Sequence, residues 1–188
     1  MRTFSKRWSQ KKKTVFRTAR RLAVDGEPAN ALKVIDIYLQ QEEENDVDLL
    51  LLKSNIFEMT GKFSQAAKIS RLILQIAPDD TLALIDLGDY YKALSKPNYR
   101  KALRYYNQAL RLVGTGRFHY DKEEEFLDAC EGKADLLLTL QRPMAALRCI
   151  VDGLQKYPTS LILGKMLQKA QAQYKDLQEK GSQSRRLS

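Results

Sequence analysis

The chain has 188 residues, 44% hydrophobic and 29% charged, a balance that suits a folded globular protein and not a disordered one. No apolar run approaches the roughly 18 residues of a membrane span, and the start lacks the apolar core of roughly 7–15 residues found in a secretory signal, so a cytoplasmic protein is expected. The net charge of +9 is uneven: residues 1–21 hold nine cations and no carboxylate, residues 22–164 hold seventeen cations and twenty-one carboxylates, and residues 165–188 hold six and two. The basicity belongs to the two ends, which weakens a reading of the whole chain as a nucleic-acid binder.

Residues 1–11 form a basic lead-in, which can be helical because Phe4, Trp8 and Val15 lie near one face. Helical patterning with a turn at Gly26 then runs through FRTARRLAVDGEPANALKVIDIYLQQ, on Ala19, Leu22, Ala31 and Ile35. The clearest unit is DLLLLKSNIFEMTGKFSQAAKISRLILQIAPDD. Leu49, Leu52, Ile56 and Met59 mark one face of a first helix, Gly61 supplies a turn, and Ala66, Ile69, Ile73 and Ile76 mark the second helix. Pro78 ends that hairpin, and Asp79, Asp80 and Thr81 offer caps to the next helix. LALIDLGDYYKAL with RKALRYYNQALRLVG is a third copy, longer by two residues around 96–98, and CEGKADLLLTLQRPMAALRCIVDGLQKYPTS is a fourth. An insertion, GTGRFHYDKEE, lies between them, where Asp121 and Glu124 have capping-box spacing that can start the fourth copy early. After Pro158, Ser160 can cap a final helix on Leu163, Leu167, Ala170, Tyr174 and Leu177, and GSQSRRLS reads as a disordered tail.

These units resemble tetratricopeptide repeats, with the pattern W-x2-L-G-x2-Y, then A-x3-F, then P, over about 34 residues. Leu84, Leu87, Gly88 and Tyr91 fit the first helix and Ala102, Tyr106 and Ala109 the second. Ala66 and Pro78, and Ala146 and Pro158, fill matching slots. The resemblance implies an all-α fold: a right-handed α-solenoid of about four hairpins (about 12–46, 47–80, 81–116 and 124–158), with a C-terminal capping helix over 159–180 and a disordered tail over 181–188. Small residues at Ala19, Ser54, Gly88 and Ala134 would let paired helices touch.

The resemblance also implies that the first helices line a concave groove for a peptide or a partner helix. Matching each repeat places Lys13, Phe16 and Arg20 there from the first, and Asp48, Leu51, Asn55, Glu58 and Met59 from the second. The third places Leu82, Ile85, Asp89 and Lys92, and the fourth Asp128, Glu131, Asp135 and Leu138. Carboxylates outnumber cations in this set, and Phe16, Leu51, Met59, Leu82 and Ile85 are its candidate apolar grips. Some relatives clamp the acidic tails of heat-shock chaperones, but only Asn55 fits that clamp; Leu51, Asp86 and Asp128 stand where Lys or Asn is needed.

No Gly-rich phosphate loop, HExxH, CxxC or GxSxG occurs, so no enzyme, cofactor or metal is expected. Cys130 and Cys149 read as reduced, buried or half-buried thiols without a redox role, and His119 as a surface residue. The expected function is a protein–protein interaction module, a scaffold, adaptor or chaperone-like protein, binding a basic or apolar peptide or helix. Self-association is a further option. The alternative is a nucleic-acid-associated protein using a basic arm of Arg2, Lys6, Arg7, Trp8, Lys11, Lys12 and Lys13, where aromatics interleave with cations. Membrane attachment through those residues is the least favoured.

Overall fold

A computed structural model describes residues 8–113 and 121–186, which contain nine helices and no strand. These are α1 (Gln10–Val24), α2 (Pro28–Gln41), α3 (Val47–Met59), α4 (Phe63–Ile76), α5 (Thr81–Ala93), α6 (Tyr99–Leu112), α7 (Lys122–Thr139), α8 (Pro143–Lys156) and α9 (Leu161–Arg186). Helices pair as α1–α2, α3–α4, α5–α6 and α7–α8, and the second helix of each pair packs on the first helix of the next. First helices also meet one another, α1 with α3, α5 with α7, and α7 with α9. Each pair therefore buries its apolar faces against sequence neighbours, as stacked helical repeats do.

The helix ends follow from local chemistry. Asp46, Asp80 and Asp121 cap α3, α5 and α7 by accepting from Leu49 N (3.1 Å), Ala83 N (2.9 Å), and Glu123 N and Glu124 N (2.9 and 3.3 Å). Ser9 and Ser160 do the same for α1 and α9 through Lys12 N and Leu163 N. Three of the hairpin turns share one closure. Gly26, Gly61 and Gln141 have φ of +84°, +71° and 56°, and the next N–H reaches back to Leu22, Phe57 and Leu137 respectively. Gln141 holds this left-handed geometry without being glycine, and its Oε1 accepts from Gln173 Nε2 at 3.0 Å. The α5–α6 connection closes differently: Asn98 N donates to Tyr91 O, and the Asn98 side chain caps α6 through Lys101 N.

Two features differ from the one-dimensional pattern. In α3 the apolar side is not one stripe: Leu49, Leu50, Leu51 and Leu52 are all buried, whereas Met59 is 62% exposed. α3 is covered by α1, α2 and α4 together, so most of its circumference is interior. The second difference is at the C-terminus, where α9 continues to Arg186 instead of giving way to a disordered tail at Gly181. One glycine costs a helix only about 1 kcal/mol, and side-chain links such as Lys180–Asp176 (2.8 Å) and Ser182–Gln178 (2.9 Å) accompany the extension. Leu163, Met166 and Ala170 of α9 are buried against the last hairpin, while Leu167, Tyr174 and Leu177 are half-buried. His119 and most of the insertion lie outside the described residues.

The tightest joint is formed by Tyr106 on α6, whose side chain is fully buried between α5 and α7. A Cβ placed on Gly88 would stand 2.6 Å from its ring, and one on Gly132 would stand 2.5 Å from it. The ring cannot retreat from one glycine without striking the other, and its hydroxyl is held by donating to Asp89 Oδ1 at 2.6 Å. Alanine at either glycine gains up to about 1 kcal/mol of helix propensity but overpacks a closed site at about 1–3 kcal/mol. Gly88→Ala and Gly132→Ala should each lose about 1–2 kcal/mol in denaturant unfolding. An unchanged midpoint for both would show that the joint has room for a methyl group.

Candidate functional site

The residues expected to line one face separate into two groups. Phe16, Leu51, Ile85 and Leu138 are only 3%, 5%, 7% and 3% exposed and belong to the apolar core, which corrects the assignment of the first three as grips for a ligand and of Leu138 to the groove lining. The contacts between neighbouring first helices bury positions that matching the repeats places in the groove. Arg20, Asn55, Met59, Asp89, Asp128 and Glu131 are exposed, and Glu58, Leu82, Lys92 and Asp135 are half-buried. The accessible face is therefore polar and mainly acidic, with Met59 its most exposed apolar member.

Its centre is a run of carboxylates on α3, α5 and α7. Asp86 lies one turn before Asp89 on α5, accepts from Ser70 Oγ at 3.1 Å and from Ser54 Oγ at 3.5 Å, and feels both Glu58 and Asp89. Burial, reinforced by Glu58, holds the Asp86 carboxyl well above the ordinary range. Burial and then Asp89 raise Glu58. Partial burial, then Glu124 and Glu131, push Asp128 up to about 6. At the far end Lys92 contacts Asp89 (3.3 Å) and Asp135 (3.6 Å), and Lys169 of α9 reaches Asp135 at 3.3 Å. The contribution of α9 was invisible to repeat matching, because α9 lies beyond the last repeat.

A deeper acidic pair joins α5 to α7. Glu125 is buried and accepts a hydrogen bond from the Thr81 hydroxyl. Asp80 beside it is fully buried; its Oδ1 caps α5 and its Oδ2 has no hydrogen-bond partner among the described residues. Burial, and then Glu125 and Asp48 against the opposing bond from Ala83, push Asp80 up to about 6.

The N-terminal cations are largely absorbed by the fold. Lys12 sits on α1 with its ammonium 2.8 Å from Asp46 and 2.7 Å from Asp48, and 4.5 Å from the centre of the Trp8 ring. Burial opposes its charge, but hydrogen bonds to the two aspartates outweigh that and raise its pKa above the usual lysine value. Lys11 pairs with Glu42, Trp8 packs on Phe16 at 5.2 Å, and Lys13 is half-buried. Trp8, Lys11 and Lys12 are thus part of the first hairpin's packing and its junction with α3, a correction to their assignment as a free arm. Arg2, Lys6 and Arg7 lie outside the described residues.

Among the described residues no group of three or more His, Cys, Asp or Glu side chains is arranged to hold a metal, and no helix is long and apolar enough to cross a membrane. The fold is that of tetratricopeptide-repeat proteins. Three solved structures share it: the MamA protein (TM-score 0.68, 13% identity, covering 93% of this chain and 87% of MamA), a tetratricopeptide repeat protein from Parabacteroides merdae (0.66, 19%, 89% and 62%), and the Sgt2 repeat domain from Aspergillus fumigatus (0.57, 14%, 71% and 81%). At these identities the likeness is one of fold. No protein-family model and no curated sequence matches the chain.

Two substitutions check these assignments. Asp80 titrates at about 6 when folded and near 4 when unfolded, so the folded state takes up its proton first. Stability attributable to Asp80 therefore rises as pH falls through 6 towards 4, and above 6 its charge is a cost. Asp80→Asn keeps a capping oxygen and should stabilise by about 1–3 kcal/mol at pH 7, with the gain vanishing by about pH 4 in urea melts. Lys12→Ala leaves Asp46 and Asp48 without their cation and should destabilise by about 2–4 kcal/mol; a neutral effect would return Lys12 to the arm.

Proposed function

We propose that this protein is a non-enzymatic interaction module, an adaptor or scaffold, that holds a basic segment of another protein along the face formed by α3, α5 and α7. The observation that carries this reading is the run Glu58, Asp86, Asp89, Asp128 and Glu131, in which burial and mutual repulsion raise several of the pKa values. Carboxylates crowded in this way gain most from a cation brought to them, because one lysine or arginine relieves several repulsions at once. Helical-repeat folds present such extended surfaces to protein ligands. The apolar share of recognition falls to Met59 and Leu82, since the other grips are core residues. The nucleic-acid alternative is weakened, because Lys11 and Lys12 are already engaged by carboxylates.

Asp128 and Glu131 are exposed and suit a test. A fluorescent lysine-rich peptide should bind the wild type in a salt-sensitive manner, and Asp128→Lys with Glu131→Lys should weaken binding by roughly tenfold or more. Affinity should also fall between pH 7 and pH 5, as Asp128, which titrates at about 6, takes up its proton. A double variant that binds the peptide as tightly as the wild type, by fluorescence anisotropy, would exclude this face.

A further inference from the structure

The last hairpin holds the chain's two cysteines against one another. Cys130 of α7 is fully buried and Cys149 of α8 is 8% exposed, and their sulfurs stand 3.4 Å apart. Cys130 Sγ also lies 3.3 Å from the Cys149 carbonyl oxygen, so the two side chains share one compartment between the helices. We propose that Cys130 and Cys149 are a peroxide-oxidised pair that closes to a disulfide and staples α7 to α8. Bond formation needs the sulfurs to approach by about 1.4 Å.

The pair is chemically asymmetric. Of the two thiols the one that accepts its neighbour's hydrogen bond is held lower, while burial raises both; with Cys130 donating across the 3.4 Å contact, Cys149 falls and Cys130 rises. Lys133 favours the Cys149 anion and Asp152 opposes it. Cys149 is also the residue of the pair that is not fully closed off from solvent, and hydrogen peroxide is a small oxidant. In the first step the Cys149 thiolate attacks a peroxide oxygen; a sulfur–oxygen bond forms, the oxygen–oxygen bond breaks, and hydroxide leaves to take up a proton as water. In the second, the Cys130 sulfur attacks the sulfenic acid; the disulfide forms, the sulfur–oxygen bond breaks, and the departing hydroxide carries off the Cys130 proton as a second water. Two thiols are oxidised and one peroxide is reduced to two waters.

The bond would fall within a cluster that includes Phe126, Ile150 and Leu163. Gly153, one turn after Cys149, lies so close that a Cβ there would stand 3.2 Å from Cys130 Sγ and 2.6 Å from Leu163. A staple at 130–149 therefore fixes the hairpin on which α9 rests.

The test treats the full-length protein with hydrogen peroxide, alkylates it under denaturing conditions and measures intact mass and peptides. The expected product is lighter by two hydrogens, resists alkylation, yields a 130–149 crosslinked peptide and returns to the dithiol with dithiothreitol. Cys130→Ser should stall Cys149 as a sulfenic acid captured by dimedone, whereas Cys149→Ser should leave Cys130 oxidising roughly tenfold more slowly. The oxidised wild type should unfold at a midpoint roughly 5–10 °C higher. Retention of two alkylatable thiols, or oxygen addition without a crosslink, would overturn the pairing. A lowered midpoint would overturn the staple. The wild-type measurements decide the matter even where a serine variant fails to fold.

Discussion

The packing of Tyr106 between Gly88 and Gly132 is the constraint on which the centre of the molecule depends. A ring pressed onto two helix backbones sets how closely α5 and α7 approach, and its hydroxyl fixes Asp89 from beneath. The distance between the carboxylates of α5 and those of α7 is therefore a consequence of core packing. Close-packed interiors transmit such constraints because few side chains can move independently. A surface that reads as charge alone is built on one aromatic ring and two missing side chains.

Electrostatics divides the same molecule into two satisfied ends and an unsatisfied centre. At the start of the chain Lys12 neutralises Asp46 and Asp48, tying α1 to the beginning of α3. At the other end Lys92 and Lys169 converge on Asp135. Between them, burial and proximity drive Glu58, Asp86 and Asp128 towards protonation. That crowding is a cost in stability, because each carboxylate is held partly out of water and beside others of its own sign.

Much of the architecture was legible in one dimension. Small residues at Ala19, Ser54, Gly88 and Ala134, turn residues at Gly26 and Gly61, and aspartates ahead of apolar runs each specify something local, and local rules can be read along a chain. The face was less legible. The resemblance to tetratricopeptide repeats put Phe16, Leu51, Ile85 and Leu138 beside Glu58 and Asp89, and matching the repeats carries no information on which side chains neighbouring helices will cover. Lys12 illustrates the same limit, since its run of lysines resembles a free arm until α3 brings Asp46 and Asp48 beside it.

The sequence by itself determined the helical repeat, some of its caps and turns, and the segregation of positive charge to the ends, because those follow from periodicity, backbone preferences and composition. Only the tertiary structure decided which positions are accessible, which cations are already paired, and that Cys130 and Cys149, separated by eighteen residues of chain, share one site. The physical reason is that exposure, ion pairing and sulfur contact are properties of packing between helices, and the chain order records each helix without recording its neighbours.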